Sequence, residues 1–327
     1  MIKAAYHSYQ LHRKHSFDYL HYTTLSDFRS ILLLGFVGPK LILGPLTGGD
    51  TIPRTIYPSL TFRNKASERT RSLINLICKF SPLHYLAYAK ADYIYAATDE
   101  TKQYIPSIFH NKVLTIPAIS LREEQLNQTL SLSPIIIGEE IKILWSARYQ
   151  YWKGLELALY SFCLFHKANK NSSLTLLAWF PKRNDALRIN DLINQLGIAS
   201  VTTIVEWLPR ERLSAFYTQF NLFLFPSYRD SGGFVVLEAM AHGLPCVCLD
   251  HAGPGLQVNN SCGRAISLKG LSSINEIVQS IAHAMLEITT DNSVYKQLSE
   301  GAKKRARAFS THNIVTQIYR PILEKLN

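Results

Sequence analysis

One stretch constrains the fold of this chain more than any other: residues 221–251, NLFLFPSYRDSGGFVVLEAMAHGLPCVCLDH. Leu222–Phe225 is a short, wholly apolar run closed by a proline, which is typical of a strand buried in a parallel sheet. From Phe234 the apolar residues recur at helical spacing until a glycine ends the pattern. Cys246–Leu249 is a second buried run. The stretch therefore predicts strand, loop, helix and strand, the unit of an open α/β sheet.

The junction between this loop and its helix carries candidate chemistry. Ser231, Gly232 and Gly233 leave the backbone bare where the helix begins, and glycine allows a ligand to approach closely. Free N–H groups and the positive end of the helix dipole suit an anion, most often phosphate. Asp230 precedes the loop and Glu238 lies a turn into the helix, so both carboxylates are expected to face one crevice at the carboxyl end of the strand. A carboxylate beside a phosphate site suits hydroxyl groups, which makes a sugar and a ribose natural ligands.

The same residues closely resemble the donor-sugar loop of the retaining family 4 glycosyltransferases of GT-B fold. That family shows Glu-x7-Glu and an EAMA-x-G-x-P-V-V run, and here Asp230 and Glu238 take the two acidic positions. The shorter side chain of Asp230 bears on the choice of donor sugar. The resemblance implies that Asp230 holds the sugar, Glu238 holds the ribose, and main-chain groups hold the rest of the donor. The donor-binding set is then Ser231, Gly232, Gly233, Phe234, Val235, Val236 and Glu238. The plainer alternative is an ordinary βαβ turn that begins with two glycines.

A second motif lies upstream. Ile141–Ser146 predicts a buried strand, and Arg148 and Lys153 follow it, ahead of a helix with apolar spacing. The segment resembles the family's G-R-x4-K-G pattern, with Ala147 in place of the usual glycine. The resemblance assigns Arg148 and Lys153 to the donor diphosphate and, with Asp230, to catalysis. Fixed cations would stabilise the charge that builds on a leaving diphosphate. The alternative is that both are ordinary surface cations.

Composition and charge limit the classes of molecule that this chain is expected to bind. The chain has 327 residues and a net charge of +11, so nucleic acid, an anionic membrane and a phosphorylated substrate all come into question. No nucleic-acid motif is present, and no apolar run approaches the ~20 residues that span a bilayer. Five scattered cysteines indicate reduced thiols in a cytosol. No metal site is expected, since Cys246 and Cys248 would point to opposite faces of one strand.

The predicted fold class is α/β, with two Rossmann-like domains in a GT-B-like arrangement. Residues 1–133 are predicted to form an acceptor-side domain and residues 134–310 a nucleotide-sugar-binding domain. Residues 311–327 would form a last helix that crosses back to the first domain. The opening strands and glycine loop of the family's first domain have no counterpart, so that domain is expected to be incomplete or reduced. A truncated reading frame, a partner chain that supplies the missing strands and a divergent small domain remain open.

Two features of the first domain are candidates for a functional role. The turn Gly44–Asp50, GPLTGGD, resembles a G-P-V-G-G-G-E turn found in part of the family, and Gly48 and Gly49 are candidates to face the cleft. A tight loop is an equal alternative. The family often places a histidine over the donor, and His21 is a weak counterpart for which a structural role is favoured.

Residues 63–89 predict a basic amphipathic helix. Four basic residues precede an apolar group within it. Such a segment can lie on an anionic bilayer. The alternative, favoured by its frequency, is a solvated helix face above a stripe of core residues.

The resemblance implies metal-independent transfer of a hexosyl group from a nucleotide-diphosphate sugar to a glycan or lipid-linked acceptor, with retention of configuration. The nucleotide sugar is a co-substrate, and no cofactor is expected. The implied setting is bacterial surface polysaccharide synthesis, in the cytoplasm and peripherally on the inner face of the membrane. The alternative is a catalytically incomplete donor-binding subunit or remnant that needs a partner chain. An epimerase or phosphorylase is less favoured, because no cofactor-lysine signature is present.

Overall fold

The computed structural model describes residues 2–23, 26–31, 36–129, 138 and 140–324. Its contacts divide the chain into two compact units. The first comprises Met1–Thr51, Leu60–Ala118 and Ile314–Asn327, and the second comprises Ile52–Ser59 and Ile119–Asn313. Each unit carries one parallel sheet with helices, as the α/β prediction requires.

The first unit is built on a four-stranded parallel sheet of order β1-β2-β3-β4. Its apolar core packs on this sheet and includes Phe28, Ile31 and Tyr88. The strands are β1 (Tyr19–Tyr22), β2 (Lys40–Leu46), β3 (Ala91–Ala96) and β4 (Val113–Thr115). The helices are α1 (Ile2–His15), α2 (Phe62–Phe80), α3 (Pro82–Lys90) and α4 (Asp99–Lys102).

The helical segment predicted over residues 63–89 is confirmed, but it is divided into two helices. The chain turns between α2 and α3 at Ser81, whose backbone is extended, and Pro82 opens α3. Proline lacks the N–H that would continue a helix but fits the first turn of a new one.

The glycine turn after β2 is packed rather than open. The Gly48 carbonyl accepts hydrogen bonds from Arg29 Nη2 at 2.8 Å, Arg71 Nη2 at 2.6 Å and Asn75 Nδ2 at 3.4 Å. A Cβ at Gly49 would lie 2.3 Å from the Thr101 Cα. The tight-loop alternative therefore accounts for both glycines through packing, and their predicted role in a cleft stays a prediction.

The end of the chain belongs to the first unit from Ile314 onward. Residues 314–323 of this segment form the greater part of α13 (Thr311–Leu323). Tyr95 donates its hydroxyl proton to the Ile318 carbonyl at 2.6 Å. Both ring nitrogens of His21 are engaged, Nδ1 with the Tyr319 hydroxyl and Nε2 with the Gly44 carbonyl, each at 2.7 Å. These contacts fit the structural role favoured for His21.

The second unit is built on a six-stranded parallel sheet of order β10-β9-β8-β5-β6-β7. Its strands are β5 (Ile141–Arg148), β6 (Ser172–Trp179), β7 (Thr202–Val205), β8 (Leu222–Phe225), β9 (Cys246–Leu249) and β10 (Gly263–Ile266). Every residue of β8 and β9 is buried, as their apolar runs predict. The order reverses between β5 and β8, which makes that pair the topological switch point of a doubly wound sheet.

Helices follow the strands of this sheet in turn. They are α5 (Glu123–Gln128), α6 (Leu155–Ala168), α7 (Arg183–Gln195), α8 (Arg210–Tyr217), α9 (Phe234–Ala241), α10 (Ala252–Gln257), α11 (Ile274–Thr290) and α12 (Asn292–Ala308). α9 begins at the predicted residue. All five cysteines are buried and free.

The boundary predicted between residues 133 and 134 lies outside the described residues and stays a prediction. The contact units divide instead between Ala118 and Ile119. The reason is visible at Leu121, whose N–H donates to the Phe309 carbonyl at 2.9 Å and whose carbonyl accepts from Thr311 N at 2.8 Å. Residues 125–134 are rich in Ser, Asn, Gln and Leu, which predicts a linker, but Gln125 lies inside α5, so a linker does not begin there.

Candidate functional site

The two sequence motifs meet at the switch point of the six-stranded sheet. β5 and β8 are neighbours, with Ile143 opposite Leu222 and Leu144 opposite Phe223. The loops that leave their carboxyl ends therefore start side by side. This is the position at which open α/β sheets bind ligands.

The β5–α6 and β8–α9 loops are fastened together through main-chain contacts. The Trp152 carbonyl accepts from Tyr228 N at 2.8 Å and from Ser227 Oγ at 3.0 Å. Gly154 has φ +70°, and a Cβ there would lie 1.9 Å from the Pro226 carbonyl oxygen. Glycine is thus required after Lys153 because only a bare backbone fits against the second loop.

Lys153 and Asp230 form an ion pair across the two loops. The Lys153 Nζ lies 2.5 Å from Asp230 Oδ2, and the two side chains are 19% and 14% exposed. The Lys153 ammonium also lies over the Phe225 ring, 5.6 Å from its centroid. The structure therefore brings one predicted phosphate ligand into contact with the predicted sugar ligand.

Asp230 also organises the start of α9. Its Oδ1 accepts hydrogen bonds from Gly232 N at 3.2 Å and from Gly233 N at 3.0 Å. The expectation that these two amides are free is wrong, because the carboxylate ahead of them turns back and takes both. Gly233 adopts the left-handed conformation at φ +64°, which lets the chain enter the helix at that angle.

The first turn of α9 supplies the other predicted main-chain ligands. The Val236 amide donates to the Gly233 carbonyl at 2.9 Å, so it is engaged within the turn. Phe234 and Val235 occupy the first two helical positions, whose N–H groups have no carbonyl within the helix to reach. These two amides are the donors that the helix end can offer to an anion.

A third loop, between β9 and α10, closes on the Asp230 loop. Gly253 N donates to the Asp230 carbonyl at 2.8 Å, and a Cβ at Gly253 would lie 2.7 Å from that oxygen. The buried Gln257 donates from Nε2 to the Gly232 carbonyl. Sequence reasoning missed Gln257. A buried glutamine at a helix end has no periodic signal, and only its contact identifies it.

Arg148 lies at the exposed end of β5. Its guanidinium stacks on the Trp179 ring, 4.7 Å from the centroid. Within the described part of the chain, no hydrogen bond or ion pair joins it to Lys153 or Asp230. The Arg148 guanidinium is thus positioned by an aromatic ring from the neighbouring strand.

Glu238 lines a cavity of about 330 Å³ within the second unit. The cavity is enclosed by α5, α8 and α9, and Arg122, Arg210, Tyr217 and His242 share its wall. Its size is within the range of small-molecule sites. Asp230 is not among the residues that line this cavity, so the expectation that the two carboxylates face one crevice stays a prediction.

Burial perturbs the Glu238 carboxyl. Loss of solvation raises its pKa from 4.5 to about 7, while a hydrogen bond from Tyr217 and the charge of Arg210 act in the opposite direction. The Tyr217 hydroxyl donates to Glu238 Oε2 at 3.4 Å. The Tyr217 ring is stacked on His242, whose Nε2 is 2.9 Å from Ser214 Oγ. Sequence reasoning missed this supporting shell, because α8 carries no motif beyond its apolar spacing.

Comparison with known proteins finds a match to one family model. The model described as Glycosyl transferases group 1 matches residues 132–305. Those residues contain both loops of the ion pair and the cavity-lining helix α9.

Relatives and solved structures extend this finding. The D-inositol 3-phosphate glycosyltransferase of Kribbella flavida is 30% identical over 119 residues, which cover 36% of this chain and 27% of the relative. The structure of Anabaena HepE in complex with UDP is similar with a TM-score of 0.62 and 15% identity, over 98% of this chain and 81% of that one. The structure of the lipopolysaccharide outer core galactosyltransferase WaaB is similar with a TM-score of 0.65 and 13% identity, over 99% of this chain and 80% of that one. The match thus spans about a quarter of the curated relative's length, and the structural likeness shows a shared fold.

Proposed function

The chain belongs to the glycosyl transferases group 1 family and has a GT-B fold, and on that premise we propose that it transfers a hexosyl group from a nucleotide-diphosphate sugar to an acceptor. The observation that carries the proposal is the Lys153–Asp230 pair at the switch point, beside the first turn of α9. It places a cation, a carboxylate and helix N–H groups together, which are the groups that a diphosphate and a sugar require.

The leaving diphosphate is the chemical problem in this reaction. Negative charge builds on it as the glycosidic bond breaks, and positive groups fixed in advance stabilise that charge. Lys153 and the Phe234 and Val235 amides are proposed to take the phosphates. Arg148, held on Trp179, adds a second cation from the same end of the sheet. With these groups in place, transfer is proposed to proceed without a metal ion.

Asp230 is proposed to change partners when the donor binds. In the structure its charge is satisfied by Lys153 and by two amides. Diphosphate is a stronger competitor for Lys153 than a single carboxylate, because it carries more charge. Once Lys153 turns to the phosphates, Asp230 Oδ2 is free to accept a sugar hydroxyl. The amide contacts through Oδ1 keep the carboxylate in position during the exchange.

Retention of configuration is proposed to follow a front-face course. The leaving phosphate then helps to remove the proton of the acceptor hydroxyl. An Asp230 carboxylate whose Oδ1 is held by two N–H groups and whose Oδ2 accepts a sugar hydroxyl is a weak nucleophile, which argues against a covalent intermediate at this residue. Glu238 and its cavity are proposed to take the ribose, since the wall offers both a carboxylate and cations.

The acceptor is proposed to be a glycan or a lipid-linked intermediate, in bacterial surface polysaccharide synthesis. Two observations support this choice: WaaB is a lipopolysaccharide galactosyltransferase, and the chain carries a net charge of +11, which favours an anionic surface. The proposed location is the cytoplasm, with peripheral contact at the inner face of the membrane.

A second candidate is a donor-binding subunit that needs a partner chain for transfer. It is favoured by the position of the candidate site, since every residue described for it lies in the second unit. The first unit would then be completed by another chain. This candidate shares the donor site and differs only in turnover.

The test is calorimetry of the purified chain against a panel of nucleotide-diphosphate sugars, with donor hydrolysis followed in parallel. The Lys153→Met variant serves as the matched control at the site. Binding and slow hydrolysis that are both lost in Lys153→Met support the transferase. Binding without turnover supports the subunit. If no donor binds, or if Lys153→Met binds and hydrolyses as the parent does, the site assignment fails.

A further inference from the structure

Helix α2 presents its large apolar side chains to solvent, and the side chains that it turns to the protein are mostly polar. The inward positions are Asn64, Lys65, Glu68, Arg71, Asn75, Cys78 and Lys79, which are buried or half-buried. They recur at intervals of three and four residues, as one face of a helix does. This arrangement is the reverse of the ordinary pattern, in which the apolar stripe faces the core.

The inward polar face has a structural cause. Arg71 and Asn75 both donate to the carbonyl of Gly48 in the glycine turn. Lys79 Nζ donates to the Gln103 carbonyl at 2.9 Å. The helix is therefore attached to the first unit by hydrogen bonds, and its apolar residues are not needed to hold it there.

The outward face of α2 is apolar from Leu73 to Phe80, with Phe62 at its start, and α3 also has exposed apolar side chains. Phe62 is 86% exposed, Phe80 73% and Ile77 60%. At about 100° per residue, these positions fall on the side of the helix opposite Asn75. We call this the outer face. Its exposed apolar residues are Phe62, Leu73, Ile74, Leu76, Ile77 and Phe80 on α2, with Leu83 and Leu86 on α3.

Basic side chains border the outer face. Arg63 and Arg69 on α2 and Lys90 at the end of α3 are exposed. Glu68 is the sole acidic residue of the two helices, and it is buried. The exposed charge beside the apolar residues is thus entirely positive.

We propose that the outer face of α2 and α3 lies on an anionic lipid bilayer. An apolar helix face bordered by arginine and lysine is the composition that binds at the boundary between lipid headgroups and acyl chains. The basic residues would meet anionic headgroups while Phe62, Ile77 and Phe80 enter the acyl boundary. In the described part of the chain no helix is long and apolar enough to span a bilayer, so the contact would be made at the surface.

Charge also favours a membrane over a second copy of this chain. A symmetric dimer across the outer face would bring Arg63 and Arg69 against other exposed cations, with no exposed acidic group of either helix to pair with them. The inference identifies the surface that makes the peripheral membrane contact proposed above, and its biological role rests on that proposed function. Binding itself is measured with neither donor nor acceptor present.

The experiment is co-flotation of the full chain with lipid vesicles. One set contains phosphatidylcholine alone and the other contains added phosphatidylglycerol, each at low salt and at ~0.15 M salt. We expect binding to the anionic vesicles that is at least tenfold stronger than to the neutral ones and that weakens with salt.

Three variants locate the surface. Leu73→Ser with Ile77→Ser removes apolar side chains from the outer face, and Arg63→Gln with Arg69→Gln removes charge. Leu164→Ser with Leu187→Ser is the matched control, since both leucines are exposed on helices of the second unit. We expect each outer-face variant to lose at least tenfold in binding and the control to bind as the parent does.

Other results would overturn the inference. One is a parent chain that floats equally with both vesicle types or with neither. Another is an outer-face variant that binds as the parent does. A parent chain that is dimeric and fails to float, and that becomes monomeric in the Leu73→Ser, Ile77→Ser variant, would assign the face to a second copy. Donor hydrolysis measured on the same variants separates this outcome from failure of the proposed transferase, because the outer face is not part of the donor site.

Discussion

The Lys153 Nζ lies 2.5 Å from Asp230 Oδ2, although 77 residues separate the two in the chain. The contact joins two motifs, one from the β5–α6 loop and one from the β8–α9 loop. In this pair the ammonium and the carboxylate neutralise each other. A ligand that brings its own negative charge and its own hydroxyl groups can separate the pair and satisfy both partners.

Replacement of Lys153 by methionine is expected to lower donor hydrolysis by about 10² to 10³-fold, the usual loss when one group that stabilises transition-state charge is removed. Calorimetry should show weaker binding of the nucleoside diphosphate as well. Lys167→Met is the matched control, because Lys167 is exposed at the end of α6 and should leave both quantities unchanged. Hydrolysis at the parent rate in Lys153→Met would contradict the assignment.

Two substitutions separate the roles of Asp230. Asp230→Asn keeps an oxygen that can accept from the Gly232 and Gly233 amides but loses the charge that attracts Lys153. Asp230→Ala loses both. We therefore expect Asp230→Ala to be less stable than Asp230→Asn by about 1 kcal/mol, the usual net value of a hydrogen bond within a folded protein. Thermal unfolding measures the difference. Equal stability of the two variants would show that the amide contacts stabilise nothing.

Glu238 should make stability depend on pH. Its pKa rises from 4.5 to about 7 on folding, chiefly because burial penalises the charged carboxylate. The native state therefore holds the proton longer, and the parent loses stability as pH rises from about 4.5 to about 7. Glu238→Gln cannot ionise and escapes that loss. We expect its stability relative to the parent to increase, between about pH 5 and about pH 8, by up to about 3 kcal/mol.

The measurement is denaturant unfolding of parent and variant at both pH values. Glu276→Gln is a control on an exposed carboxyl, whose pKa is lowered by hydrogen bonds from Ser272 and Ser273. It should show no gain at the higher pH. If Glu238→Gln behaves like this control, the carboxyl of Glu238 is not desolvated in the folded chain.

Gly154→Ala should distort the junction of the two loops. The new Cβ would meet the Pro226 carbonyl oxygen in addition to straining a positive φ. Gly197→Ala isolates the second effect, because Gly197 has nearly the same φ, +67°, and open space around it. We expect Gly197→Ala to lose about 1 kcal/mol and Gly154→Ala to lose more, together with donor hydrolysis. Equal losses in thermal stability would mean that the two loops are not in close contact.

The local pattern of the sequence predicted much of the second unit. β8, α9 and β9 are found at the predicted residues, because a buried run, a helical spacing and a terminal glycine are all signals within a few residues. β10 was missed, since Gly263–Ile266 is short and includes an arginine. The Lys153 and Asp230 motifs were recognised separately, and their contact was not predicted. That contact depends on which strands are neighbours, and no local signal reports it.

Helix α2 shows the opposite case. The sequence predicted the helical spacing of α2 but not which face is buried, since the sequence alone favours burial of Leu73 and Ile77. The deciding contacts come from Arg71 and Asn75 to the carbonyl of Gly48, a main-chain atom that no composition or spacing reveals. Polar side chains at these positions predict the buried face of the helix only when their hydrogen-bond partner is known.

The order of strands in the six-stranded sheet also governs how this site arises during synthesis. β5 leaves the ribosome before β6, which pairs with it on one edge, and before β7, which pairs with β6. Its other edge waits for β8, which begins at Leu222. Until then a buried strand is open along one side and Lys153 has no Asp230 to meet. The open edge of β5 can therefore pair with a wrong strand while the second unit is incomplete. Pairing with β8 both covers this edge and brings Asp230 to Lys153.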